Sequence, residues 1–289
     1  MIADSLDILA NMKKNAMTVD VEDYFQVSAF ESYIAKEHWD SLPHRVERNT
    51  HKILDLFTEK NIKATFFTLG WVAERYPDLI RRMVTDGHEL ACHGYNHIRV
   101  TEQTPEQFRN DVSKTKKLLE DLSGLQVNGY RAASYSIGAS NLWALTVLLE
   151  EGFKYSSSIY PVKHDIYGMP EAPRFIYEPI ENCHFKEIPI TTVRFADKNF
   201  PCGGGGFFRF YPYAFSKWAF NRVNNQENES AIFYFHPWEI DPGQPRQQGL
   251  NLKTRTRHYL NLNRMESRVK NLLNDFNWDT MANVFKINE

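Results

Sequence analysis

Three acidic residues occur within four positions of one short apolar segment, MTVDVED, residues 17–23. Asp20, Glu22 and Asp23 follow an alternation of apolar and polar residues that is typical of a β-strand, and they lie where that strand would end. Carboxylates this close repel one another and raise one another's pKa values. A divalent cation would neutralise the cluster, so the segment indicates a metal site.

A second motif, CHGYNH, places His93 and His97 four positions apart. Zinc binds imidazole nitrogens and carboxylate oxygens, and its catalytic sites keep one position open for water. An HxxxH pair alone indicates little, but this pair and the carboxylates both follow predicted strands. In βα barrels the carboxyl ends of the strands form the active site. We therefore expect two histidines and one carboxylate to bind a divalent ion, while a second carboxylate accepts a proton from water.

The elements that must position these residues alternate regularly through the first 160 residues. Short apolar runs predict strands, and apolar residues at helical spacing predict amphipathic helices between them. Repeated β-then-α units of this length predict a parallel sheet with helices outside it, and enough units are present for a closed barrel. The predicted strands are 16–23, 63–70, 88–94, 127–134 and 153–160, and the predicted helices are 45–60, 77–87, 104–124 and 141–152.

This alternation breaks between about residues 160 and 210, where proline and glycine are frequent. The segment predicts long loops, which are usually functional in a compact domain. Its run of four glycines, residues 203–206, is not followed by the Lys and Ser/Thr of a phosphate-binding loop. The run therefore favours a tight turn. Helix and strand patterns return at 214–224 and 231–241, and His236 directly follows the apolar run AIFYF. A basic segment, 253–264, then precedes a helix that we expect to pack on the barrel.

Composition excludes several classes of protein. The formal net charge of −2 over 289 residues argues against a nucleic-acid binder. No apolar run approaches the roughly 18 residues of a membrane-spanning helix, and the first residues lack the charge order of a signal peptide. Three widely spaced cysteines do not indicate a disulfide framework, so we expect a cytoplasmic protein. Aromatic residues make up 14% of the chain; sugar-binding clefts use such rings, although most should lie in the core.

Four segments in order, TVDVED, GHELACHGYNH, YRAASYS and FYFHPW, resemble the polysaccharide deacetylase family, carbohydrate esterase family 4. The segments VDVEDYFQVSAFE and RTRHYLNL, and the glycine run before FFRFYPY, are similar to its exopolysaccharide-locus, exosortase-associated branch. The resemblance covers the chain from Met17 onward. It implies a distorted (β/α)₇ barrel with a metal site that removes acetyl groups from N-acetylhexosamine units of a polysaccharide or its precursor.

The same resemblance implies a role for each matched residue. Asp20 matches the general base, and Arg131 matches the arginine that positions it. His93 and His97 match the two metal-binding histidines. His236 matches the late histidine that serves as general acid. Zinc is the expected ion, with cobalt or nickel as alternatives.

The third metal ligand stays open, because Val21 occupies the position at which the family usually has an aspartate ligand. The ligand is then Asp23, which we favour, or Glu22, which shares the strand face of Asp20. The region around Tyr135 matches a stretch whose backbone N–H helps to hold the oxyanion, and Trp238 either walls the acetyl pocket or belongs to the core.

Two further departures concern the surroundings of the site. Gly94 replaces a Ser or Thr that braces the histidine loop, and no residue clearly matches the acidic partner of His236. Glu239 and Asp241 are near His236 in sequence only.

We predict a lead over 1–16, a deacetylase barrel over 17–245 and a short helical C-terminal extension over 246–289. The expected partner is a carbohydrate substrate, and the sequence does not indicate an oligomeric state. Two alternatives remain: a hydrolase of a small amide on the same fold, which a closed pocket would favour over an open aromatic groove, and a catalytically silent carbohydrate-binding module, which would need a broken site.

Overall fold

The computed structural model describes residues 13–165 and 167–288, and within them the main sheet has eight strands that pair in parallel. The strands of this sheet are β1 (Lys14–Val21), β2 (Thr65–Thr68), β3 (Glu89–Cys92), β4 (Gly129–Tyr130), β5 (Tyr155–Ser156), β6 (Lys186–Glu187), β9 (Ile232–Phe235) and β10 (Asn277–Asp279). The central strand β1 pairs with β2 and β9, and its first residues pair with β10. From β2 the sheet continues in sequence order to β6. A separate antiparallel hairpin is formed by β7 (Thr192–Phe195) and β8 (Lys198–Pro201).

Helices follow most of the strands and pack outside the sheet. They are α1 (Val46–Glu59), α2 (Gly70–Arg75), α3 (Pro77–Thr85), α4 (Pro105–Ser123), α5 (Trp143–Glu150), α6 (Gly205–Phe210), α7 (Tyr213–Asn221), α8 (Leu252–Tyr259), α9 (Leu262–Asp275) and α10 (Met281–Val284). Short 3₁₀ turns cover Ser28–Phe30, Lys36–Ser41, Val100–Glu102, Ala133–Tyr135 and Pro237–Ile240, and a π turn covers Arg222–Gln226. The mostly parallel sheet forms a half-barrel with helices, so the predicted α/β barrel class is confirmed.

The ends of the chain are more closely joined to the sheet than the predicted segments suggest. Most of the predicted lead lies outside the described residues, but β1 begins at Lys14, three residues before the predicted barrel boundary. The predicted extension, 246–289, supplies β10 to the sheet as well as helices. One continuous apolar core contains Val19 of β1 together with Met265 and Leu272 of α9. The extension therefore shares the core of the barrel.

The glycine run closes the sheet where β6 and β9 do not pair directly. The Gly203 N–H donates to the Thr191 carbonyl at 3.1 Å, and the Gly203 carbonyl accepts from the Tyr234 N–H at 2.8 Å. The residue Gly205 starts α6 directly against the carboxylate of Glu239, where any β-carbon would overlap that side chain. The glycines thus permit a close approach of two backbone segments.

We predict that Gly205→Ala destabilises the protein by about 1–3 kcal/mol, because an added methyl group overpacks the site against Glu239. The matched control is Gly206→Ala, because nothing lies within 4 Å of a β-carbon at that position. Urea unfolding of both variants measures the difference. Equal stability of the two variants would contradict the assigned role of Gly205.

Candidate active site

The chemistry-bearing residues meet at one edge of the sheet. Asp20 lies near the end of β1, His93 directly follows β3, Arg131 follows β4 and His236 follows β9. Because parallel strands direct their carboxyl ends to the same edge, residues far apart in sequence come together there. A cavity of about 210 Å³ lies over this edge and is lined by Asp20, His93 and His236 among others.

A potential metal site is formed by Glu22, His93 and His97, whose ligand atoms all lie within 4.8 Å of one another. The His97 Nε2 atom is 3.0 Å from Glu22 Oε2. The His93 Nδ1 atom is 2.8 Å from the Arg131 carbonyl oxygen. A hydrogen bond at Nδ1 orients the ring and leaves Nε2 of His93 available as a ligand.

The protonation states of this group suit a divalent cation. Burial lowers the pKa of His93 to about 4, so its imidazole is neutral near pH 7. Burial alone would raise the pKa of Glu22, but the neighbouring His97 and His236 outweigh it and lower that pKa to about 2. A buried carboxylate beside two imidazoles is a donor set that zinc and related ions bind. The residues present therefore fit a divalent metal ion.

The preference for Asp23 as the third ligand is not supported by its position. Asp23 is fully buried, but its Oδ2 accepts hydrogen bonds from the N–H groups of Arg45 and Val46 at 2.6 and 2.9 Å. Its Oδ1 accepts from the Tyr24 N–H at 2.8 Å. Asp23 therefore satisfies the free N–H groups at the start of α1. Because backbone N–H groups already engage both of its oxygens, the geometry favours Glu22, the other alternative, as the third ligand.

We predict that Glu22→Gln lowers metal affinity, whereas the matched amide Asp23→Asn retains the metal. Loss of the Glu22 charge removes the anionic ligand, while Asp23→Asn leaves one backbone donor without its acceptor and costs about 1–3 kcal/mol of stability. Metal content after dialysis and urea unfolding measure the two effects. If Asp23→Asn lost the metal while Glu22→Gln retained it, Asp23 rather than Glu22 would be the ligand.

The loop that carries the two histidines is braced without the expected hydroxyl group. The Asp111 carboxylate accepts the Tyr95 N–H at 3.1–3.2 Å and lies where a side chain on residue 94 would project. Gly94 has φ = 74°, a conformation that glycine adopts without strain. His97 has φ = 52° although it is not glycine. Such left-handed residues cluster at functional sites, where the surrounding structure holds them.

Asp20 lies beside the metal group and is paired with Arg131. The Arg131 guanidinium donates to Asp20 Oδ1 at 2.6 Å and to the Thr18 hydroxyl at 2.8 Å. The second carboxylate oxygen, Oδ2, is 3.4 Å from the Tyr135 hydroxyl and 4.0 Å from His236 Nε2. Arg131 is fully buried, so its charge is directed at Asp20 without competition from solvent. One oxygen of Asp20 is thus held while the other borders the cavity.

His236 has the acidic partner that the sequence did not identify. Its Nδ1 is 3.0 Å from Glu239 Oε2, and the other Glu239 oxygen accepts from Arg209 Nε at 2.7 Å. Burial opposes the charged form of His236, but Glu22 and Glu239 raise its pKa to about 9, so the ring is protonated at neutral pH. The spacing of three residues in HPWE was the available signal for Glu239. Arg209 had none, since its only sequence feature is its place after the glycine run.

Trp238 is both a core residue and a wall of the site. Its ring stacks between His236, with centroids 5.1 Å apart, and His258, with centroids 4.3 Å apart. The indole N–H donates to Glu22 Oε1 at 3.3 Å. His258 is buried and its Nε2 lies 2.7 Å from the Gln244 side-chain oxygen, which agrees with a satisfied core histidine.

Tyr135 lines the cavity, but its backbone does not offer a free donor. Its N–H donates to the Ala132 carbonyl at 3.0 Å inside a 3₁₀ turn. Ser134 and Tyr135 both have φ near 50°, and the Tyr135 ring packs against Tyr234 at 4.9 Å. The structure therefore places the Tyr135 hydroxyl, rather than its N–H, toward Asp20.

Two family models match the chain. Residues 38–155 match the polysaccharide deacetylase family, and residues 157–286 match a domain of unknown function, DUF3473. The half-barrel with a buried metal-type site at its carboxyl edge therefore occurs in a chain of which residues 38–155 match the polysaccharide deacetylase family.

Several curated proteins are similar to part of the chain. A peptidoglycan-N-acetylglucosamine deacetylase of Bacillus cereus is 39% identical over 75 residues, which are 26% of this chain and 27% of that protein. A peptidoglycan deacetylase of Helicobacter pylori is 32% identical over 108 residues, or 37% of this chain and 36% of that protein. A Bradyrhizobium chitooligosaccharide deacetylase is 30% identical over 33% of this chain and 43% of that protein. The chain thus spans less than half the length of these relatives.

Solved structures show the fold over nearly the whole chain. A Mycobacterium smegmatis protein assigned to the polysaccharide deacetylases has a TM-score of 0.59 at 16% identity, covering 96% of this chain and 95% of that one. Puue allantoinase has the same TM-score, 0.59, at 18% identity, covering 95% and 89%. At these identities the likeness establishes the architecture alone.

Proposed function

We propose that the protein is a metal-dependent hydrolase that removes N-acetyl groups from N-acetylhexosamine units of a polysaccharide or its precursor, in exopolysaccharide biosynthesis. One observation carries the proposal: Asp20 with its arginine, His236 with its glutamate and the buried Glu22–His93–His97 group border a single cavity. The curated relatives that match part of the chain act on N-acetylated glycans by their names, which supports the same substrate class here. The exopolysaccharide role rests on the sequence motifs of the exosortase-associated branch.

Glu22, His93 and His97 would hold the metal, for which we propose zinc, with cobalt or nickel as alternatives. A bound divalent ion would supply Lewis-acid chemistry, lowering the pKa of a coordinated water and polarising the acetyl carbonyl. Asp20 then accepts the proton of the attacking water with its cavity-facing oxygen, while Arg131 fixes the orientation of the carboxylate.

His236 supplies the second proton transfer. The departing amine must be protonated as the carbon–nitrogen bond breaks, because an amide anion is a very poor leaving group. The His236 Nε2 atom faces the cavity-side carboxylates, and the bond between Nδ1 and Glu239 holds the ring in that orientation. Arg209 in turn orients Glu239.

The allantoinase likeness keeps a small-amide hydrolase as the second candidate, because that name denotes an enzyme of a small substrate on the same architecture. A silent carbohydrate-binding module is disfavoured by the complete set of acid, base and ligand residues around the cavity. None of the helices described in the structure is long and apolar enough to cross a membrane. The three cysteines are free thiols, which supports our proposal of a cytoplasmic location.

The proposed activity predicts acetate release from N-acetylated oligosaccharides that stops when a chelator removes the metal and returns when zinc is added. Enzymatic determination of free acetate over a panel of acetylated oligosaccharides measures it. Allantoin and acetylated monosaccharides form the control panel. Turnover of these small amides with no release from any oligosaccharide would favour the second candidate.

For Asp20→Asn we expect metal content to remain unchanged while the deacetylation rate falls by about 10²–10⁴-fold, because the base is lost and the ligands stay. Metal analysis of the purified variant and initial rates give both numbers. If the metal were lost together with activity, Asp20 would be a ligand and the base would lie elsewhere.

His236→Ala should reduce cleavage of an N-acetyl amide by about 10²–10⁴-fold. The same change should affect an activated aryl acetate much less, because a phenolate leaves without protonation. Initial rates on both substrates, with a melting temperature for each protein, test the role. Equal losses on the two substrates, together with a lowered melting temperature, would make His236 a packing residue beside Trp238.

A further inference from the structure

Five aromatic side chains form a continuous row along α6, α7 and the turn between them, which we call the aromatic strip: Phe207, Phe210, Tyr211, Phe215 and Trp218. Ring centroids are 6.1 Å apart for Phe207 and Tyr211, 4.5 Å for Tyr211 and Phe215, and 5.5 Å for Phe215 and Trp218. Phe210 packs edge-on against Tyr211 at 5.3 Å. The rings therefore make one connected surface.

The aromatic strip lies on the outer side of the two helices. Phe210 is 65% exposed and Trp218 is 40% exposed, while the other three rings are partly exposed. On the inner side of α6, Phe208 and Arg209 are almost completely buried. Single exposed apolar residues are ordinary, but a contiguous exposed patch usually marks a binding surface.

Along the chain, the strip begins one residue after the lining of the catalytic cavity. Gly206 lines that cavity, and the next residue, Phe207, is the first ring of the strip. No atom lies within 4 Å of the β-carbon position of Gly206, so the space beside this residue is open. The strip is thus continuous, along α6, with the lining of the cavity.

From this continuity we propose that the aromatic strip binds sugar units of the substrate chain on one side of the unit being deacetylated, so that the enzyme prefers oligomers to single sugars. The inference rests on the proposed function and adds a subsite to it. Pyranose rings present flat C–H faces that stack on aromatic rings, while their hydroxyl groups need polar partners at the edges. The Arg222 guanidinium lies 5.9 Å from the Trp218 ring centre and supplies N–H donors at the outer end of the strip.

The test measures kcat/KM for N-acetylglucosamine oligomers of one to six units. For the double variant Phe210→Ala/Trp218→Ala we expect a loss that grows with oligomer length and reaches about tenfold for the hexamer, because two stacking contacts are removed. The matched control is Phe195→Ala, which removes a 61% exposed phenyl ring that makes no ring contact within the described structure. We expect this control to retain wild-type length dependence.

A binding measurement separates failure of this inference from failure of the proposed function. Calorimetric titration of each protein with the hexamer and with the monomer measures the binding affinity that the strip contributes, independently of turnover. Suppose that wild type binds the hexamer more tightly than the monomer, that the double variant loses this difference, and that wild type releases no acetate. This result would contradict the proposed function and retain the strip as a glycan site. Acetate release that is independent of oligomer length in wild type and variant would overturn the strip and retain the function.

The competing occupant of an exposed aromatic surface is a lipid bilayer. Co-sedimentation with phosphatidylglycerol and phosphatidylethanolamine vesicles tests it on the same variants. Vesicle binding that depends on Phe210 and Trp218, combined with unchanged oligomer kinetics, would overturn the glycan assignment.

Discussion

Burial of four carboxylates at one edge of the sheet is the constraint on which the rest of the structure depends. Asp20, Glu22, Asp23 and Glu239 are each no more than 2% exposed. An ionised carboxylate removed from water costs several kcal/mol unless a partner compensates it. The partners are Arg131 for Asp20, His97 for Glu22, the start of α1 for Asp23 and Arg209 for Glu239.

This separation of partners explains why acidic residues so close in sequence can coexist. Each one has a main partner of its own, and His236 lies within 4.0 Å of Asp20, Glu22 and Glu239 as an additional partner. The arrangement also gives the carboxylates different chemistry. Asp20 is held by a guanidinium, Glu22 lies beside imidazoles and Asp23 lies at the start of a helix, so they differ in what they can bind. Positions of α1, β4 and α6 follow from the same requirement, because each brings one partner to the edge of the sheet.

Much of the fold and the site could be predicted because regular periodicity and short motifs carry local information. The strands that precede Asp20, His93 and His236, and the meeting of their ends, followed from alternation and from the geometry of parallel sheets. The choice between Glu22 and Asp23 did not, because β1 ends at Val21 and a turn then decides where each side chain points. Arg209 and Glu239 lie thirty positions apart across an irregular region, and no pattern joins them.

Arg209 also donates to the carbonyl groups of Arg257, His258 and Leu260, which joins the support of His236 to the C-terminal helices. The boundary between the two matched family models falls between residues 155 and 157, within β5. The proposed base, Asp20, and the metal-type group come from the segment before that boundary, whereas His236, the proposed acid, and its supports come from the segment after it. A cut at this boundary would divide both the parallel sheet and the lining of the cavity, so the two matched regions form one structural unit and neither carries a complete site by itself.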